Sequence, residues 1–300
     1  MNRFSVGETI RFAYQFTFGQ IGTIIGLIWI PALIQVVGTY FVLAPYYAAM
    51  ADAAQSHDLA AVGPHLLLLM AFELVALGLQ AVIAAALIQQ VLGLRKGQHF
   101  VHFSFGMTEM RLLGGMLGLF FLFLIFVLAV ALVAGLVTAA IVALLGHLTS
   151  ISADLAQKVG YPVSFLSLIL LVYPMARLSF FFAPAVVVEN GFGIARSWQL
   201  SKGQFWRILR VGLATILPVL LLVFGIEVAV IGPGSFATNF AVLQDQGQQM
   251  QAMADQMRIM RAHLPLLLGL GFFITPVMFG LIYAPSAFAY RALTRVSTEA

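Results

Sequence analysis

The sequence contains no cysteine. That excludes disulfides, thiolate metal sites and cysteine nucleophiles, and it leaves the compartment open. Charge is nearly as scarce: Asp, Glu, Lys and Arg make up 9% of the 300 residues, where about 25% is usual in a soluble domain. A chain that is 62% hydrophobic, with a mean hydropathy of +1.02, carries more apolar side chain than a soluble core of this size can hide. Lipid must take up the remainder. The net charge of +4 does not point to nucleic acid, because the cations flank apolar runs and orient them in a membrane. Enzyme templates are also missing. There is no Gly-x-Ser-x-Gly, no His-Glu-x-x-His and no phosphate-cradling glycine loop, and "GFG" at 191–193 follows no strand. The composition reads as a non-enzymatic membrane protein with no cofactor.

What is present in quantity is long apolar helix. A bilayer core of about 30 Å takes roughly 20 helical residues. Six segments qualify, at about 19–43, 65–92, 112–145, 162–188, 209–232 and 265–290. The third is too long for one upright span, so tilt or an extension beyond the bilayer is expected, with Gly135 as a possible bend. The first run exceeds a signal-peptide core and is read as a retained helix. Arg3, Arg11, Arg95, Lys96, Arg111, Arg196, Lys202, Arg207, Arg210, Arg291 and Arg295 fall on one set of loops. Lys158, Arg258 and Arg261 fall on the other, and Arg177 lies inside a span. This bias orients both termini to the cytoplasm.

Two segments are nearly the same. "YQFTFGQIGTI" (14–24) and "WQLSKGQFWRI" (198–208) align without a gap, with Gln15/Gln199, Gly19/Gly203, Gln20/Gln204 and Ile24/Ile208 identical. Each follows a short amphipathic stretch, and each leads into an apolar run. Ser5-x-x-Glu8 reads as a capping box at the start of the first stretch, and Asn190 as a cap for the second. "VHFSFGMTEMRLLG" (101–114) belongs to the set more loosely, in either of two registers. The returning spans share "FFFAPAVVV" (180–188) and "LIYAPSAFA" (281–289), each with an earlier proline, Pro174 and Pro276. The expected fold is all-α: six transmembrane helices as three hairpins, at about 1–94, 95–188 and 189–300. Each hairpin is preceded by a short cytoplasmic interfacial helix.

The phrase "ENGFGIARSWQLSKGQFWRIL" (189–209) resembles an uncharacterised group of bacterial inner-membrane proteins. That group is classed with the membrane domain found ahead of some glycerophosphoryl diester phosphodiesterases. Glu189, Gly191, Ser197, Trp198, Leu200, Ser201 and Gly203 fill the pattern, with Ser201 where threonine is usual. The resemblance implies a bacterial inner-membrane location and a lipid-related context. It does not imply phosphodiesterase activity, because these residues include no hydrophilic catalytic domain.

Ionisable residues inside spans are functional candidates by default. Arg177, Glu73 and Glu227 are the three here, and a buried arginine calls for a carboxylate partner or an aqueous path. Glu73 or Glu227 would supply the charge, either as a structural ion pair or along a polar path for a substrate, a lipid headgroup or a proton. Arg196, Lys202, Arg207 and Arg210 form the densest basic cluster and are candidates for anionic headgroups. Met250, Met253, Met257 and Met260 fall at alternating three- and four-residue spacing. They make one apolar seam on an outer helix that covers the bundle or meets a partner. Thioethers also bind Cu(I), and His57, His65, His147 and His263 lie on the same side. Their spacing matches no metal motif. Gly114, Gly115 and Gly118 predict close helix packing. A membrane module that scaffolds a protein partner or handles phospholipid is the first reading, and a transporter or lipid-translocating protein is the second.

Overall fold

The structure, a computed structural model, describes residues 3–56, 58–95, 105–146, 169–232 and 246–294. Among these residues every regular element is helical. The elements are α1 (Val6–Gly19), α2 (Ile21–Ser56), a 3-10 turn (Leu59–Val62), α3 (Gly63–Leu92) and α4 (Met107–Gly146). They continue with α5 (169–179), α6 (Phe182–Glu189), α7 (Ile194–Leu200), α8 (Phe205–Ile231) and α9 (Gln246–Thr294). Six helical stretches are long and apolar enough to cross a membrane, so the protein is an all-α polytopic membrane protein. The expected interfacial helix before the middle hairpin falls largely outside the described residues.

The chain ends bring α1 and α9 together, and this shapes the first of two compact units, Met1–Met110 with Arg210–Ala300. In it α9 packs along α2 and α3, α2 packs on α3, and α1 lies against α9. Close approach needs small residues. At Gly38 a Cβ would run into the Phe72 ring, and at Gly280 it would stand 2.7 Å from Thr17 Oγ1 and 2.8 Å from Thr17 Cγ2. Phe12 stacks on Phe288 with centroids 4.4 Å apart, beside the Arg291 guanidinium. Gly280→Val therefore forces α1 off α9, at about 1–3 kcal/mol for overpacking. Gly269→Val, where a Cβ meets nothing within 4 Å, leaves the thermal unfolding midpoint in detergent nearly unchanged. Thr17→Ala, which removes the crowding atoms and a sealed hydroxyl without a hydrogen-bond partner, restores part of the Gly280→Val loss.

The second unit is Arg111–Leu209. Within it α7 packs on α6. Helix α4 runs unbroken through Gly135, so no break of the ladder marks that position. In its most apolar eighteen-residue stretch no residue is buried, as expected of a helix that faces lipid.

The aligned segments 14–24 and 198–208 are both joints. α1 ends at Gly19, Gln20 interrupts, and α2 starts at Ile21. α7 ends at Leu200, a turn containing Gly203 at φ 72° intervenes, and α8 starts at Phe205. Ser5 is the N-cap of α1, its hydroxyl accepting from Glu8 N at 3.4 Å. Asn190 is not an N-cap. It ends α6 in the left-handed conformation at φ 54°, which asparagine tolerates, and Gly193 precedes α7 instead. The outer helix expected ahead of the last span is not separate either, because α9 is continuous from Gln246 through Pro265.

Candidate functional site

The second unit is organised around Arg177, near the end of α5. Pro184 has no N–H to offer the carbonyl of Phe180, so the helix ladder is weak at this point. The chain breaks at residues 180–181 before α6 begins. The carbonyl of Arg177 accepts from the Ser197 hydroxyl at 2.9 Å, a bond from α7. The guanidinium then reaches across to the same helix. Nε donates to Ser201 Oγ at 3.2 Å, Nη2 to the Trp198 carbonyl at 2.8 Å and Nη1 to Tyr173 OH at 2.9 Å. Cζ stands 3.6 Å from the centroid of the Trp198 indole.

This arrangement suits the charge. Trp198 lies in the last turn of α7, where carbonyls lack helical donors and the dipole is negative. A cation there joins the Ser201 hydroxyl, which donates to the same carbonyl at 3.1 Å, and stacking on indole adds a cation–π contribution. Arg177 is 6% exposed, and its hydrogen-bond partners among the described residues are neutral. Lysine has neither the flat fork nor the stacking face to make all of these contacts. Arg177 thus latches α5 to α7.

Helix α4 completes the unit through its glycines, as their sequence spacing predicts. A Cβ on Gly115 would stand 2.5 Å from Phe182 Cε2 and 3.1 Å from the Phe192 carbonyl oxygen. One on Gly118 would stand 3.2 Å from Ile194 Cδ1. Arg111 donates to Asn190 Oδ1 at 3.1 Å. Gly193, at φ 70°, presses its backbone on Val186 and on the Phe182 carbonyl, a site closed to any side chain. The loop between α6 and α7 is therefore clamped on two sides. Phe192 in this loop (68% exposed), Trp198 in α7 (40%) and Trp206 at the start of α8 (67%) are exposed, interleaved along the chain with Arg196, Lys202 and Arg207. Arg196 Nε donates to Glu189 Oε1 at 2.7 Å, a half-exposed pair that adds at most about 1 kcal/mol.

Most of the remaining candidates belong to the first unit. Glu73 is exposed on α3 and Glu227 half-exposed on α8, both in the first unit, and neither has a polar partner among the described residues. Arg210 is exposed in the first unit. Met250, Met253, Met257 and Met260 are half-buried along α9 around a fully buried Ala254, so the seam is partly covered by the chain itself. His65 and His263 are half-buried, while His57 and His147 lie outside the described residues. Among the described residues no group of three or more His, Cys, Asp or Glu is placed to hold a metal.

The sequence called for a carboxylate partner or an aqueous path at Arg177 and did not point to Tyr173 as a partner. The Ser197-Trp198-Leu200-Ser201 phrase already held the other partners, and a hydroxyl or carbonyl acceptor leaves no signature in a list of charges. No protein-family model, curated protein or solved structure matches this chain.

Proposed function

We propose that this chain is a non-enzymatic integral module of a bacterial inner membrane, with both termini cytoplasmic, that organises phospholipid at the cytoplasmic leaflet. The observation that carries the reading is the clamped 189–207 segment. Three exposed aromatics, Phe192, Trp198 and Trp206, alternate there with Arg196, Lys202 and Arg207 on a backbone fixed by Arg177 and the α4 glycines. Exposed indole and phenyl rings beside cations suit the headgroup boundary. Each basic residue near an anionic surface contributes about 1 kcal/mol. The similar joints at 14–24 and 198–208, identical at four of eleven positions, read as equivalents in an internally repeated hairpin. The resemblance carried by 189–209 agrees with a lipid-related role.

The test uses nanodiscs of mixed phosphatidylethanolamine and phosphatidylglycerol. Lys202→Gln with Arg207→Gln should lower the phosphatidylglycerol retained after detergent extraction by up to about thirtyfold, because two contacts of about 1 kcal/mol are lost. Equal retention by the variant and the unaltered protein would remove the basis of the reading. Transport along an Arg177 path is the weaker reading, since the neutral partners of the guanidinium suit a latch. Partner scaffolding gains from the bare apolar face of α4, which a second membrane helix would fit as well as lipid does.

A further inference from the structure

The first unit holds a cleft of about 520 Å³ between α2, α3, α8 and α9, at the depth of their apolar stretches. Its walls are mainly apolar, with Val36, Leu267, Ile274 and Phe279 among them. Into this surroundings the chain places Gln35, Thr39, Gln80 and Tyr283. None of these four side chains has a hydrogen-bond partner among the described residues, and none carries a formal charge. Their polar atoms are not sealed away. Among the described residues the sealed atoms without partners include Thr17 Oγ1 and Trp29 Nε1, and neither residue lines the cleft. The polar groups that line the cleft are thus reachable from it.

An amide facing an apolar environment without a partner costs about 1–3 kcal/mol on scales drawn from proteins. Two glutamines, a threonine and a tyrosine in one cleft are costly unless something fills it and bonds them. A pocket of 300–1,000 Å³ that is mostly apolar, with a few polar groups, is typical of small-molecule sites. The absence of charge on the lining selects against phosphate and ammonium. The apolar walls favour a chain.

We infer that this cleft binds an uncharged, hydroxyl-bearing amphiphile, whose polar end is held by Gln35, Gln80 and Tyr283 while its chain lies along α9. The site is separate from the basic interfacial segment and does not depend on the phospholipid reading. Dioleoylglycerol serves as the probe, because it pairs a free hydroxyl with acyl chains and has no charge.

The experiment is native mass spectrometry of the protein in phosphatidylethanolamine–phosphatidylglycerol nanodiscs doped with dioleoylglycerol. The unaltered protein is expected to retain one dioleoylglycerol. The double variant Gln35→Leu with Gln80→Leu should retain about thirtyfold less, because each of the two lost hydrogen bonds contributes roughly 1 kcal/mol. Gly271→Leu is the second variant. Gly271 lines the cleft and a Cβ there meets nothing within 4 Å, so a side chain can start from this position into the cleft space. It should fold normally and also lose the ligand. Equal retention by all three proteins, or retention of phosphatidylglycerol in the cleft-dependent position, would overturn the inference.

Discussion

Arg177→Leu lowers unfolding stability by about 2–4 kcal/mol and frees α7 from α5, without any substrate being involved. The three donor bonds, to Ser201 Oγ, Tyr173 OH and the Trp198 carbonyl, are charge-assisted and each is worth about 1.5–3 kcal/mol. Their sum is not the loss. Leucine also relieves the chain of holding a guanidinium at 6% exposure, and that desolvation offsets part of it. What remains is a Trp198 carbonyl bonded only by the Ser201 hydroxyl, at 3.1 Å, and an indole with no cation above it. Arg177→Lys should fall between, since an ammonium replaces one contact well and three poorly. Ser197→Ala removes a single neutral bond to the Arg177 carbonyl and should cost about 1 kcal/mol. The measurement is denaturant unfolding in detergent, with limited proteolysis read at residues 190–204. A fully stable, equally protected Arg177→Leu protein would dispose of the latch.

Gly115→Leu has an effect at least as large, from a different cause. Its Cβ alone would sit 2.5 Å from the Phe182 ring and 3.1 Å from the Phe192 carbonyl, and the second of these is backbone. The ring is able to turn. The carbonyl is not, because Phe192 O already accepts from Ile194 N at 2.9 Å in the tight approach to α7. Helix α4 must therefore leave the α6–α7 loop, which costs 3 kcal/mol or more where overpacking alone costs about 1–3. Gly135→Leu in the same helix is the comparison. A Cβ there meets nothing within 4 Å, and replacing a helical glycine gains roughly 0.5–1 kcal/mol. Thermal melting of the two variants should split them to opposite sides of the unaltered protein. If both shifted alike, glycine would matter in α4 only through helix propensity.

The spans were legible because lipid is an undiscriminating solvent. Twenty apolar residues in a row have one use, so α3 and α8 begin and end near the hydropathy limits, while α2 starts near its limit and runs on to Ser56, well past the expected end near residue 43. The joints were legible for the same kind of reason, since Gln20 and Gln204 interrupt apolar periodicity where the helices break. Gly114, Gly115 and Gly118 announced a close approach that Phe192, Phe182 and Ile194 complete. What sequence could not give was the partner of each polar group. Arg177 looked as if it needed a carboxylate, because charge is easy to count. A helix C-terminus with two serines and an indole is an equal partner and becomes visible only when α7 folds back on α5. Asn190 misled for a related reason: the side chain that caps a helix start also tolerates the left-handed turn that ends one. The cleft residues Gln35 and Gln80 went unmarked because they are neutral, although amides inside spans are rare enough to question.

The most direct measurement of the central claim is gentle extraction of the protein from its native membrane, followed by mass spectrometry of everything that stays bound. The account predicts phospholipid enriched in anionic headgroups, held in fixed ratio to the protein and diminished in a Lys202→Gln, Arg207→Gln variant. A stoichiometric protein partner, with a lipid complement no different from bulk membrane, would contradict it.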